Sequence, residues 1–216
     1  MSEIINFIIS QGVDVDTVYL ILALPFIATL IVIFRQIIGV KSFGIYTPLV
    51  LAFAFWAIGL KYGLAIFVVV LVSGTAMRYF LKKFRLLYLP RIAIVLTVIS
   101  IAILGLLTLA GYLGKIGLAS TSILPILIMI TLIEKFISTQ VEKGIRTATL
   151  LSIETIIISS AGYYFIIWDS FRNLILNHPE YIILLLVINI ILGRWTGLRL
   201  REYFRFKDVI KHVDNN

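Results

Sequence analysis

"KSFGIYTPLVLAFAF", residues 41–55, is echoed further along the chain by "ASTSILPILIMITLIE", residues 119–134. In both, a polar, turn-prone stretch leads to a hydroxyl residue and a proline, and an apolar run begins. Thr47 and Pro48 open the first run; Ser122 and Pro125 open the second. Proline suits the first turn of a helix, where its missing N–H breaks no bond. A hydroxyl at the same place offers an acceptor to N–H groups that the helix leaves unpaired. The punctuation therefore marks two helix starts, and the runs that follow say what kind of helix.

The sequence has 216 residues, of which 61% are hydrophobic, and a mean hydropathy of +1.07. Soluble domains hold roughly 45–50% apolar residues. A membrane span needs about 20 mainly apolar residues, and seven runs qualify, at about 18–38, 44–60, 63–81, 91–113, 117–134, 146–168 and 180–198. They are continuous rather than alternating, which excludes a β-barrel. The expected fold is an all-α integral membrane protein of seven transmembrane helices. The second span is short: Pro48 to Leu60 covers only about 20 Å at ~1.5 Å per residue, so it is expected to start below the membrane surface, after a re-entrant stretch.

Cysteine is absent, which removes disulfides, thiolate metal sites and a cysteine nucleophile. His178 and His212 lie far apart in the sequence and near span ends, so no metal or other cofactor is expected. No phosphate-binding loop, HExxH, GxSxG or dinucleotide fingerprint occurs; any reaction belongs to another chain. The first residues carry Glu3, Asp14 and Asp16 without a basic region or small-residue cleavage site, so the first span is expected to insert uncleaved.

With the N-terminus outside and the spans alternating, 16 of the 19 Lys and Arg residues face the cytoplasm, and only Lys61, Lys115 and Arg172 lie outside. That bias follows the positive-inside rule and supports both count and orientation. It divides the chain into an extracytoplasmic segment (1–16), a membrane domain (17–199) and a basic cytoplasmic tail (200–216). The net charge of +8 is thus an insertion signal, and no nucleic-acid partner is implied.

Three spans precede the basic loop "RYFLKKFRLLYLPR" (78–91) and three follow it. Pro48 and Pro125 open corresponding spans, and small-residue stretches, "VSGTA" (72–76) and "ISSAG" (158–162), fall in the next ones. An odd number of spans per half inverts the second half, giving an expected inverted 3+3 repeat with a seventh helix added. Such repeats place a binding site at their interface, and helix N-termini carry partial positive charge that attracts carboxylate or phosphate. The plainer reading is two ordinary helix starts.

Several polar residues sit where lipid is expected. Glu154 lies well inside the sixth span, and an intramembrane carboxylate must face protein or water. It is either a proton or substrate site or a buried structural partner. Glu134, Gln140, Glu142 and Arg146 surround the expected cytoplasmic turn between spans five and six; Glu142 and Arg146, four apart, suit a helical ion pair. At the end, Gly193 and Gly197 form a GxxxG that permits close helix approach, and a homo-oligomer is among the expected partners. Arg194, Arg199, Arg201, Arg205 and Lys207 follow, interleaved with aromatics; they suit an anchor on anionic membrane lipid or a docking surface for a cytoplasmic partner. "SEIINFIISQ" (2–11) suits a short amphipathic surface helix.

The stretches "GVKSFGIYTPLVLAFAF" (39–55), "LPRIAIVLT" (89–97), "EKFISTQVEKG" (134–144) and "HPEYIILLLVINIILGRWTGLRLREYFRF" (178–206) resemble the seven-transmembrane domain commonly fused to an inactive transglutaminase-like domain. The resemblance runs from about residue 16 to nearly the end. It implies that any fused domain precedes the membrane domain on the outer side; in this sequence that domain is expected to be absent. The proline segments are also similar to those of the membrane subunit of bacterial poly-γ-glutamate synthase, although they lack its Pro-Gly pair and that subunit has no counterpart of the seventh span and tail. Together these resemblances imply association with a cytoplasmic ATP-grasp amide ligase, with Thr47, Pro48, Ser122, Pro125, Glu134, Gln140 and Glu142 as substrate-binding positions.

The expected function is a non-catalytic membrane subunit that receives or translocates a polyglutamate-like or peptide-like anionic product. In it the two proline-led helix ends would hold carboxylates, Glu154 or Glu134 would shuttle protons or bind ammonium groups, and the basic tail would dock the ligase. The alternatives are a free-standing secondary transporter of a small anion and a membrane sensor or scaffold. The expected location is the cell membrane.

Overall fold

The computed structural model describes residues 7–84, 87–114 and 123–194, and every regular element among them is helical. Helix α1 is Val15–Ile33, continued by a wider π-helical turn, Phe34–Ile38, and ended by Gly39 in the left-handed conformation. There follow α2 (Tyr46–Ile58), α3 (Leu60–Leu81), α4 (Tyr88–Tyr112), α5 (Ile123–Lys143), α6 (Ile145–Ile166), α7 (Asp169–Asn177) and α8 (Tyr181–Gly193). Five of them, α1 with its π turn, α3, α4, α5 and α6, are long and apolar enough to cross a membrane. Six of the seven expected spans coincide with α1 to α6 within a few residues, apart from the two ends of α5; α8 is the described part of the seventh. The 13 residues of α2 reach about 20 Å, short of a ~30 Å hydrocarbon core.

Helix α5 corrects the expected boundaries. Its described part starts at Ile123 and runs to Lys143, nine residues past the point where the apolar run stops. Phe136, Ile137 and Val141 keep the three-and-four spacing set by Leu132 and Ile133, and Glu, Lys and Gln between them are good helix formers. Glu134, Gln140 and Glu142 therefore stand on a helix and not around a turn. The turn itself shrinks to Gly144, whose φ of 84° suits glycine alone. This break also overturns the Glu142–Arg146 ion pair. The two residues lie on different helices, and Glu142 accepts a hydrogen bond from Ser138 Oγ at 3.1 Å.

Thr47 and Pro48 both stand in the first turn of α2. Ser42 donates to the Gly44 carbonyl at 2.7 Å, the Gly44 N–H returns a bond to the Ser42 carbonyl, and this turn starts the helix at Tyr46. Thr47 is then its second residue and Pro48 its third, with both buried. Pro125 is the third residue of α5 as described. Ser122 lies outside the described residues, as do Gly197, Arg199, Arg201, Arg205 and Lys207.

The chain forms two compact units, residues 1–49 with 164–216 and residues 50–163. These interleave the two halves of the sequence rather than separating them. In the first unit α7 and α8 pack on α1. Asn189 of α8 donates to Thr29 Oγ1 of α1 at 2.8 Å, and Gln36, on the π turn, donates to the Leu192 carbonyl near the end of α8. Helix α7 is the element that apolar runs do not reveal. It is nine residues long and amphipathic, and the chain bends by 105° between it and α8, where Pro179 cannot continue a helix. Phe171 of α7 meets Phe26 edge-on at 5.5 Å, while Arg172 pairs with Asp16 and lies 5.3 Å over the Tyr19 ring.

In the second unit α3 packs along α4 and α5. Its contact stripe is Gly63, Ile66, Phe67, Val70 and Gly74, all buried. Glycines at both ends let Phe55, Met129, Ile99 and Ile133 approach the α3 backbone. Without a hydrophobic driving force between helices in lipid, such close van der Waals contact is what holds them together.

Candidate functional site

At the end of α3, next to the Gly144 break, the second unit carries a cavity of about 400 Å³ lined by Thr75, Ala76, Arg78 and Tyr79 of α3, Lys82 just after its end, Gln140 of α5 and Ile145 of α6. Arg78 and Lys82 are one helical turn apart, so they share a face. Arg78 is half-buried and Lys82 exposed. Arg91, in the first turn of α4, stands within electrostatic reach of Arg78 and adds to the positive field. Among the described residues no carboxylate lines the cavity. The Gln140 Oε1 atom is buried and accepts no hydrogen bond from the described residues, an arrangement that folded proteins rarely leave uncompensated.

A guanidinium, an ammonium group and an uncommitted amide oxygen make a particular kind of receptor. Arginine offers a planar fork matched to a carboxylate, and lysine a mobile point charge. The Gln140 oxygen needs a donor, which an ionised carboxylate lacks and a peptide N–H supplies.

The structure gives each described position expected to bind substrate its own surroundings. Gln140 belongs to this cavity. Glu134, two turns earlier on α5, is exposed and borders a separate apolar cleft of about 220 Å³ with Ile92, Val95 and Leu96 of α4. Glu142 is exposed and bonded to Ser138. Glu154 is 9% exposed and faces protein, as its charge requires in a bilayer. Thr47 and Pro48 belong to the first unit and Pro125 to the second. Arg194 is exposed at the end of α8. Reading the sequence missed Arg78, Lys82, Thr75 and Tyr79. The available signal was Arg78 itself, a cation still inside an apolar helix, with a second cation one turn on.

Comparison with known proteins bears on the fold. No curated protein and no solved structure matches the chain. The family model described as 7 transmembrane helices usually fused to an inactive transglutaminase matches residues 1–210, nearly the whole sequence. With five described helices long enough to cross a bilayer, this chain is a multi-pass membrane protein that belongs to that seven-transmembrane, transglutaminase-associated family.

Proposed function

We propose that the chain is a membrane subunit that takes up a carboxylate-bearing, peptide-like product from a cytoplasmic amide ligase of the ATP-grasp type. The observation that carries the reading is the cavity of Arg78, Lys82 and Gln140: among the described residues that line it, two cations, no carboxylate and a buried amide oxygen in want of a donor. Carboxylates of the product pair with Arg78 and Lys82, and a peptide N–H reaches the Gln140 amide. The positive-inside bias supports placing this end of α3 in the cytoplasm, where such a product is made. The basic residues from Arg194 onward dock the ligase.

Binding of radiolabelled oligoglutamate to the protein in nanodiscs of net-neutral phospholipid tests this. Arg78→Ala combined with Lys82→Ala is expected to weaken it at least 30-fold, and Gln140→Leu about 5- to 10-fold, in line with charge-assisted hydrogen bonds of ~1.5–3 kcal/mol and neutral ones of ~1 kcal/mol. Equal binding by all three proteins would refute the reading.

Buried Glu154 favours a second reading, proton-coupled transport of a small anion without a ligase. Under it, uptake into proteoliposomes proceeds with the purified chain alone and is lost in Glu154→Gln. Under the first reading the chain alone supports none.

A further inference from the structure

The basic cavity does not end at its polar walls. Thr75, Ala76 and Ile145 also line an apolar trough of about 520 Å³ between α3 and α6, whose other walls include Val68 and Val72 of α3, Phe136 of α5, and Ile153 and Ile156 of α6. The two spaces share these three residues as walls. Thr149 and Ser152 border the trough as well, but each hydroxyl donates to its own helix, Thr149 to the Ile145 carbonyl at 2.9 Å and Ser152 to the Ala148 carbonyl at 3.0 Å. They contribute hydrocarbon to the trough and leave no unmet donor in it. From Ile145 to Ile156 the trough follows α6 for about 16 Å, at ~1.5 Å per residue.

A charged cavity beside a long apolar trough is complementary to one shape, an anionic head on a hydrocarbon tail. A soluble peptide uses only the charged cavity. A neutral lipid uses only the trough and leaves Arg78 and Lys82 without a counter-charge. We infer that the cavity's ligand is lipid-linked: an amphiphile whose carboxylate-bearing head lies against Arg78, Lys82 and Gln140 and whose chain lies along the trough between α3 and α6. This rests on the proposed anion-binding role and names the class of substrate for that same cavity.

The test uses two probes with one head: oligoglutamate, and the same oligoglutamate carrying an N-dodecanoyl chain. Both are titrated onto the protein in nanodiscs of net-neutral phospholipid, with empty nanodiscs giving the partition background. The acylated probe is expected to bind the protein at least 10-fold more tightly than the soluble one after that background is removed. Ile153→Trp or Val72→Trp, at positions 54% and 63% exposed that tolerate a larger side chain, fill the trough and should remove this gain while soluble binding stays unchanged. Ile101→Trp, equally exposed at 63% but on α4 away from the trough, should leave both alone.

If acylation brings no gain, or if Ile153→Trp and Val72→Trp bind the acylated probe as the native protein does, the lipid inference is overturned while the anion-binding reading stands. If the acylated probe keeps its affinity in Arg78→Ala with Lys82→Ala, its head is not held by the cations and the inference is equally overturned. Loss of Arg78 dependence for the soluble probe alone overturns the underlying reading instead.

Discussion

Gly74→Leu is expected to prevent the protein from accumulating as a monodisperse species in detergent, and Gly74→Ala to destabilise it by about 1–3 kcal/mol, the range for overpacked cores. A Cβ at Gly74 would stand 2.6 Å from Cγ1 and 2.7 Å from Cδ1 of Ile133, and 3.4 Å from Cδ1 of Ile99. Isoleucine is branched at Cβ and holds essentially one χ1 rotamer in a helix, so Cγ1 of Ile133 cannot swing aside. Ile133 is 2% exposed and Ile99 fully buried, which leaves no neighbouring space to move into. The clash must therefore be relieved by separating α3 from α5, and in lipid that contact is the main force between them.

Two controls isolate the cause. Ile133→Ala removes both offending atoms, so Gly74→Ala should be less harmful in that background than alone, a coupling that a double-mutant cycle measures. Gly105→Ala adds a methyl where nothing lies within 4 Å; alanine's better helix propensity should make it neutral or stabilising by up to ~1 kcal/mol. Thermal unfolding followed by size-exclusion profile reads all five variants, the double mutant included. If Gly74→Leu elutes and melts as the native protein does, the close approach of α3 and α5 is wrong.

That approach was partly legible in the sequence. "VSGTA" stands out as small residues inside an apolar span, and small residues mark close helix contact in membranes. What the sequence does not tell is the partner: Ile133 lies far along the chain, and periodicity reports a face, never what covers it. The same limit hid the basic cavity. Arg78 and Lys82 count toward the charge asymmetry of the loops, which says where they lie relative to the membrane, while Gln140 reads as loop because charged residues interrupt the apolar run after Ile133. Only the persistence of Phe136, Ile137 and Val141 at helical spacing carries α5 to Lys143, and this brings Gln140 beside Arg78. Helix α7 escaped for a different reason. Nine residues of mixed polarity make too short a window for a span, and what fixes α7 is its tertiary contact with Asp16, Tyr19 and Phe26.

Those contacts converge on Tyr19, which sets up the second expected result: Tyr19→Ala lowers stability by about 3–5 kcal/mol, the range for removing a large buried aromatic side chain, and Tyr19→Phe by about 1–3 kcal/mol. Tyr19 is 1% exposed, and its hydroxyl donates at 2.6 Å to the carbonyl of Ile166, the last residue of α6. Carbonyls in the final turn of a helix have no partner within it, so the phenol supplies one that the bilayer does not. Phenylalanine keeps the ring and its place beneath the Arg172 guanidinium but leaves that buried acceptor unmet, and an unmet buried acceptor costs the full desolvation penalty. Arg172→Leu makes the opposite cut, sparing the hydroxyl while removing the cation over the ring and the Asp16 pair. With side chains 38% and 45% exposed, that pair is screened and is expected to matter by no more than ~1 kcal/mol, with a similar amount from the ring contact. The order Tyr19→Ala, then Tyr19→Phe, then Arg172→Leu, measured as unfolding free energy in a common detergent, follows from burial deciding over charge. Salt separates the causes further, because raising ionic strength weakens the exposed ion pair and leaves the buried hydrogen bond almost untouched. An Arg172→Leu effect larger than that of Tyr19→Phe, and reduced by salt, would instead make charge the main fastening of α7 to α1.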